Sequence, residues 1–319
     1  MQKTSEKVIS AKTATQMAKK IKEVNADIIH VFHFRWAMIL PIICLFKKNW
    51  ILDVRTVHVG NDEGQYSRLS YLKNQLTHFE SLFFTQVIAL TDPIKRMLTP
   101  HWRSIPVIPL GANFDRLTPN PAINHQMRIR LGINALTKIY IYTGILDPQR
   151  NIIIMLHAFE RLKHLDVHLL VVGFCRNHDY FNYLKAEVTA MGMDTLVSFT
   201  GQIKYEEVVN YYHVANIGIS FIPQTEYFTD QPPTKLFEYI AAELLVVSTS
   251  TKSVKSILCD KELILTQDNI NDFSCALLSA YNLSVDDASK MKKAAKYKVS
   301  GYNWNCIIKE KLLPVYLQL

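Results

Sequence analysis

The sequence predicts an α/β protein built from two Rossmann-like, doubly wound domains that face each other across a cleft. Short apolar runs rich in β-branched residues alternate with helix-length segments along the chain, the pattern of parallel strands buried on both faces. The 319 residues amount to about twice the usual size of one domain. Residues 114–137 interrupt the alternation: they lack strand character, carry Pro119 and Pro121, and lead into a fresh strand at Lys138. The resulting division is a first domain over 1–117, a linker over 118–137, a second domain over 138–298 and a C-terminal segment over 299–319.

A helix-like stretch comes first, before the first strand at 28–32 (IIHVF). The apolar stretch 37–46 (AMILPIICLF) contains a proline and is about half the ~20 residues that span a bilayer, so it reads as a buried helix. Strands follow at 51–54 (ILDV), 87–90 (VIAL) and 105–109 (IPVIP). In the second domain strands are expected at 139–144, 168–173, 197–201, 217–222, 245–249 and 263–266. Helices are expected between them over 151–164, 179–191, 205–214 and 234–242.

Composition removes several classes of function. With 49% hydrophobic and 20% charged residues the chain is neither disordered nor collagen-like. Five scattered cysteines without a CxxC pair imply neither a disulfide framework nor a zinc site, and read as small core residues in a reducing cytoplasm. The N-terminal segment has no apolar run of signal-peptide length. The net charge of +8 is uneven: residues 1–120 hold 16 basic and 9 acidic residues, residues 121–319 hold 20 and 19. A basic first domain points to an anionic partner. Nucleic acid is set aside because no aromatic-basic motif of a known module is present.

The most informative stretch is 221–249, FIPQTEYFTDQPPTKLFEYIAAELLVVST. A loop holding Asp230 ends at Pro232 and Pro233, and a helix starts at Thr234 and Lys235. Its N-terminus offers unpaired N–H groups and the positive end of a dipole, a place for phosphate. Glu238 follows one turn later, where a carboxylate can accept hydrogen bonds from a sugar or ribose hydroxyl pair. The same residues also fit an ordinary amphipathic helix with a solvated Glu.

Asp230 and Glu238 in this setting resemble the donor-site signature of the GT-B retaining glycosyltransferases of the family 4 type. Segments 105–119 (IPVIPLGANFDRLTP), 142–162 (YTGILDPQRNIIIMLHAFERL), 197–223 (VSFTGQIKYEEVVNYYHVANIGISFIP) and 302–319 (YNWNCIIKEKLLPVYLQL) resemble other parts of that family, in the same order, and the last of them implies a C-terminal helix over 299–319 that crosses back to the first domain. The resemblance implies transfer of a sugar from a UDP- or GDP-sugar co-substrate to a lipid-linked or oligosaccharide acceptor, as in surface polysaccharide synthesis. It implies no separate cofactor and no metal. Glu238 would hold the ribose, Asp230 the donor sugar and Arg150 the diphosphate. Gly144 would let the backbone approach the phosphates, Pro233, Thr234 and Lys235 would open the phosphate-binding helix, and Gly201, Gln202 and Ile203 would face the base. In the first domain Asp53, Arg55 and His58, just after a strand, are the candidates on the acceptor side.

Four positions depart from the family pattern. Asp230 stands where a glutamate is common, Ile145 where a second basic residue follows the glycine, and Glu243 where a glycine precedes the last strand. The chain also opens on a helix-like stretch in place of a strand and glycine-rich loop, so either the true start lies upstream or the first domain is reduced. Ile145 and the missing strand favour an alternative, a non-catalytic GT-B protein that binds a nucleotide sugar or a partner transferase. The basic first domain reads as a docking face for an anionic membrane, placing the protein in the cytoplasm or on the inner face of the membrane.

Overall fold

The structure is a computed structural model that describes residues 13–45, 48–56, 68–226 and 228–319. The chain forms two units: residues 1–109 with 307–319, and residues 110–306.

In the first unit, three parallel strands, β1 (Ile28–Phe32), β2 (Asn49–Val54) and β3 (Gln86–Ala89), lie in sequence order. β2 is central and buried from Trp50 to Val54. Trp50 meets Phe84 edge to face at 6.5 Å between ring centres. Residues 105–109 do not form the expected strand. Pro106 and Pro109 have no N–H to offer a ladder, and only an isolated bridge joins Val107 to Ala89. The apolar stretch 37–46 is helical only over Ile39–Ile43, with Leu40 and Pro41 buried but Ile42 and Leu45 exposed. The chain's last segment is bound into this unit through a 2.6 Å contact between the Tyr316 hydroxyl and His30 Nδ1. Asn49 also donates from Nδ2 to the carbonyl of Leu319 at 2.8 Å. Among the described residues no helix is long and apolar enough to cross a membrane.

The second unit holds a six-stranded parallel sheet, β4 (Lys138–Thr143), β5 (Val167–Val172), β6 (Val197–Gly201), β7 (Ile217–Ser220), β8 (Leu245–Thr249) and β9 (Ile264–Thr266). The spatial order is β6-β5-β4-β7-β8-β9. From β4 the chain winds outward through β5 and β6, then returns to the other side of β4 with β7. The winding therefore reverses between β4 and β7, and in such sheets ligands bind beyond the carboxyl ends at the reversal. The expected helices stand at Ile152–Glu160, His178–Ala190, Tyr205–Val214 and Thr234–Ala241.

The stretch read as a linker, 118–137, contains the helix Pro121–Leu131, started by the Asn120 side chain and ended at Gly132. It is fastened to the second unit by Asn124 Nδ2 donating to the His213 carbonyl at 2.8 Å and by Arg128 donating to Asn134, Thr137 and Asn216. Two glycines set close approaches. A Cβ on Gly173 would stand 1.8 Å from the Gly144 carbonyl oxygen, and one on Gly218 would stand 2.6 Å from the Tyr239 ring.

Candidate functional site

A cavity of about 290 Å³ opens beyond the carboxyl ends of β4 and β7. Tyr142, Thr143, Gly144 and Ile145 continue β4 into its wall, and Ser220, Phe221 and Ile222 continue β7. Gln231 to Lys235 and Arg150 complete it. The sheet topology explains its position, since the reversal leaves the space above β4 and β7 without a crossover connection to fill it.

Three pieces of local structure aim polar groups into this space. Asp147 caps a short turn at Pro148–Arg150, which leads into the helix Ile152–Glu160 and carries Arg150. The Arg150 guanidinium rests on the Phe228 ring, 4.6 Å from its centre, so its direction is fixed by stacking. The loop before Thr234 is anchored to a neighbouring turn, Ser253 Oγ donating to the Gln231 carbonyl at 2.7 Å and Ser253 N–H to that of Thr229 at 3.0 Å. The helix Thr234–Ala241 then starts at Pro233 with no side-chain cap; the N–H groups of Thr234 and Leu236 donate to the Pro232 and Pro233 carbonyls at 2.9 Å and 3.0 Å, and the helix borders the cavity with the positive end of its dipole.

Glu238 lies one turn below the cavity. Its carboxylate accepts from Lys235 Nζ at 3.0 Å and 3.2 Å and from the Tyr212 hydroxyl. Tyr212 is in contact with Thr143 Oγ1 at 3.1 Å, and Tyr239 with the same oxygen at 3.0 Å. The Thr143 backbone N–H donates to the Tyr239 hydroxyl at 2.8 Å. A continuous chain of hydrogen bonds thus runs from the end of β4 to Lys235 in the cavity wall. Burial, reinforced by the Glu238 charge, pushes the Tyr212 hydroxyl well above its ordinary pKa, so it stays a proton donor to the carboxylate. Burial raises Tyr142 to about 12.

Among the sequence candidates, the structure gathers Gly144, Arg150, Pro233, Thr234 and Lys235 around one cavity, with Glu238 tied to Lys235. Asp230 is exposed in the preceding turn and does not line the cavity; its neighbour Gln231 does. Gly201, Gln202 and Ile203 lie at the end of β6, two strands from β4, and are outside the cavity wall. In the first unit Asp53 is 3% exposed. Its Oδ2 is occupied by Arg55 at 2.7 Å and 2.8 Å and by His30 at 3.3 Å, so the carboxylate serves the unit internally. Arg55 also stacks on Phe32, 4.5 Å from the ring centre. His58 lies outside the described residues. Tyr212, Phe228 and Gln231 escaped sequence reasoning, because a buried tyrosine in an amphipathic helix and two residues of a loop carry no periodic signal. The strand-end residues Thr143 and Ser220 could have been found from position alone. Among the described residues no group of three His, Cys, Asp or Glu side chains is placed to hold a metal ion.

A parallel sheet with this winding, and a cavity at its reversal bordered by a cationic wall and a helix N-terminus, defines a doubly wound α/β protein. The family model of the glycosyl transferases group 1 matches residues 124–298, more than half the sequence, and the chain belongs to that family. A curated relative, the lipopolysaccharide 1,2-N-acetylglucosaminetransferase of Salmonella typhimurium, is 23% identical over 61% of this chain and 53% of its own. The alpha-monoglucosyldiacylglycerol synthase of Streptococcus pneumoniae is 26% identical over 66% and 47%. The chain therefore spans about half the length of the curated relatives it matches. A glycosyltransferase from Rickettsia africae shares the fold with a TM-score of 0.78 at 18% identity, covering 96% of this chain and 80% of that one. Anabaena HepE, solved with UDP and glucose, gives 0.78 at 14% identity, covering 96% and 81%.

Proposed function

We propose that this chain is a retaining glycosyltransferase that takes a nucleotide sugar into the cavity between β4 and β7. The carrying observation is the convergence of Gly144, Arg150, Lys235 and the uncapped helix start on one space, within the stretch that the family model matches. The UDP held by Anabaena HepE supports a UDP-sugar as donor, with a GDP-sugar as the other choice. In this reading Arg150, Lys235 and the positive end of the helix Thr234–Ala241 face the diphosphate, and Glu238 accepts from the ribose hydroxyls. Asp230 reaches the donor sugar, and Gly201 to Ile203 border the base.

The bond between the sugar's anomeric carbon and the diphosphate breaks as the acceptor hydroxyl forms a bond on the same face. The acceptor's proton passes to the departing phosphate oxygen. The cations stabilise the charge that develops on that leaving group. No separate cofactor or metal enters the proposal. The names of the two curated relatives support a lipid-linked or oligosaccharide acceptor and a role in surface polysaccharide or glycolipid synthesis.

The test is calorimetric titration with UDP, GDP and ADP, followed by nucleotide release from their sugars with and without membrane extract. One nucleoside diphosphate is expected to bind, and Glu238→Ala to abolish that binding while the melting temperature holds. Absence of binding to any of the three would sink the reading. Ile145, 44% exposed in the cavity wall where the family pattern has a basic residue, favours a second reading as a binding protein without turnover. That outcome would show as nucleotide binding with no release from any sugar.

A further inference from the structure

The helix Arg68–Ser81 in the first unit is amphipathic in the reverse sense. Its inward face is polar: Ser70, Asn74, Thr77, Glu80 and Ser81 are buried. That face is satisfied at home, since Thr77 Oγ1 donates to the Lys73 carbonyl and Ser81 Oγ to that of His78. Glu80 receives the backbone N–H groups of Trp36 at 3.0 Å and Ala37 at 2.9 Å. The opposite face is apolar: Leu69, Leu72 and Phe79 are 59%, 62% and 50% exposed, at a spacing that puts them on one side together with Leu76. Soluble proteins rarely leave such a stripe in water without a partner.

The flanks of this stripe are cationic. Arg35, Lys73 and Leu76 share a cavity of about 200 Å³ with Phe34, and neither cation has an ion-pair partner among the described residues. Arg68 stands at the helix start. At the other end His78 is 2.9 Å from the Pro100 carbonyl, which brings alongside an exposed Trp102 with Arg103 stacked on it at 4.2 Å. Apart from the buried Glu80 the helix carries no carboxylate. Leucine and phenylalanine on one face, tryptophan at its end and unpaired Arg and Lys beside it are the pattern of a helix that lies in a membrane interface.

We propose that this face docks the first unit onto an anionic lipid bilayer, with Leu69, Leu72, Leu76 and Phe79 among the acyl chains. Arg35, Lys73 and Arg103 then meet the lipid phosphates. The surface belongs to the first unit and the cavity to the second, and the proposal does not depend on sugar transfer.

The test is flotation of the full chain with vesicles of phosphatidylcholine alone and of phosphatidylcholine mixed with phosphatidylglycerol. Binding to the mixed vesicles is expected, reduced by salt and weak on phosphatidylcholine alone. The double variant L72S/F79S removes only exposed apolar groups and is expected to lower the partition about tenfold or more with an unchanged melting temperature. The double variant R35A/K73A should lose the preference for anionic vesicles. No flotation of the wild type, or flotation indifferent to L72S/F79S, overturns the proposal. It is overturned equally if the wild type is a dimer that L72S/F79S splits while neither form floats, since the face is then an interface between copies.

Discussion

The two units treat the same kind of sheet in opposite ways. In the second, β4, β5, β7 and β8 are buried almost end to end between helices, and apart from His168 near the start of β5 their buried polar residues sit at the strands' carboxyl ends. In the first, β2 and β3 are buried but β1 keeps only Val31 inside, and the helix Arg68–Ser81 keeps its polar residues inside and its leucines outside. A doubly covered sheet excludes water from everything except its strand ends, so polar chemistry collects there. A thinly covered sheet leaves apolar surface over, and its chemistry becomes that of an interface. The carboxylates follow the same division. Glu238 shares its charge with a residue of the cavity wall, whereas Asp53 and Glu80 are taken up by His30, Arg55 and backbone N–H groups within their own unit.

The sharpest way to break the contrast is at the packing of the second unit. Gly173→Ala would drive a methyl group into the Gly144 carbonyl, and it is expected to cost about 3 kcal/mol or more of stability in urea denaturation. It should also abolish nucleotide binding, because the strand end it displaces is the cavity wall. Arg150→Ala tests the cavity itself. Affinity for the nucleoside diphosphate should fall by about 1.5–3 kcal/mol in calorimetry while the melting temperature stays put. An unchanged affinity would return Arg150 to a surface residue stacked on Phe228.

The first unit is tested through Glu80. Burial pushes its carboxyl up, but the His33 ring 3.6 Å away and the hydrogen bonds from the Trp36 and Ala37 N–H groups outweigh that and hold it below the ordinary glutamate value of 4.5. A depressed carboxyl stabilises the fold above that value, and the stabilisation disappears as the pH falls through the lowered pKa. Glu80→Gln should therefore cost about 1–3 kcal/mol at neutral pH, and the gap to wild type should close in acid, read from melting curves between pH 3 and 7. A gap independent of pH would mean that only the shape of the side chain matters. The smallest effect expected is that of Tyr212→Phe. It removes one hydrogen bond from Glu238 and should weaken UDP by about 1 kcal/mol while leaving 2′,3′-dideoxy-UDP unaffected. Equal losses for both nucleotides would detach Tyr212 from the ribose.

Much of the second unit is legible in the sequence. Its strands are continuous apolar runs, and its helices begin at recognisable caps such as Asn177, Asn269 and Ser284, whose side chains accept the first N–H groups. The first unit reads less well. Val107 lies in an apolar run whose two prolines leave it with a single bridge, and the helix Arg68–Ser81 has the right length but its hydrophobic pattern assigns the wrong side to the interior. At the site, Arg150, Lys235 and Glu238 were visible because proline and charge mark a helix start. The stacking of Arg150 on Phe228 and the link from Glu238 through Tyr212 to Thr143 join residues far apart in the chain, and no local pattern records them.

By itself the sequence determined the α/β alternation, the family, and the loop, helix start and carboxylate of the donor half, because strand burial and helix capping are decided within a few residues. Tertiary structure alone decided which strand ends stand side by side. It separated Gly201 and its neighbours from the cavity, enclosed Asp53 with Arg55 and His30, and turned the leucines of Arg68–Ser81 outward. Those outcomes depend on strand order and on which face of a helix meets the sheet, and both are set by contacts between segments that the sequence lists far apart.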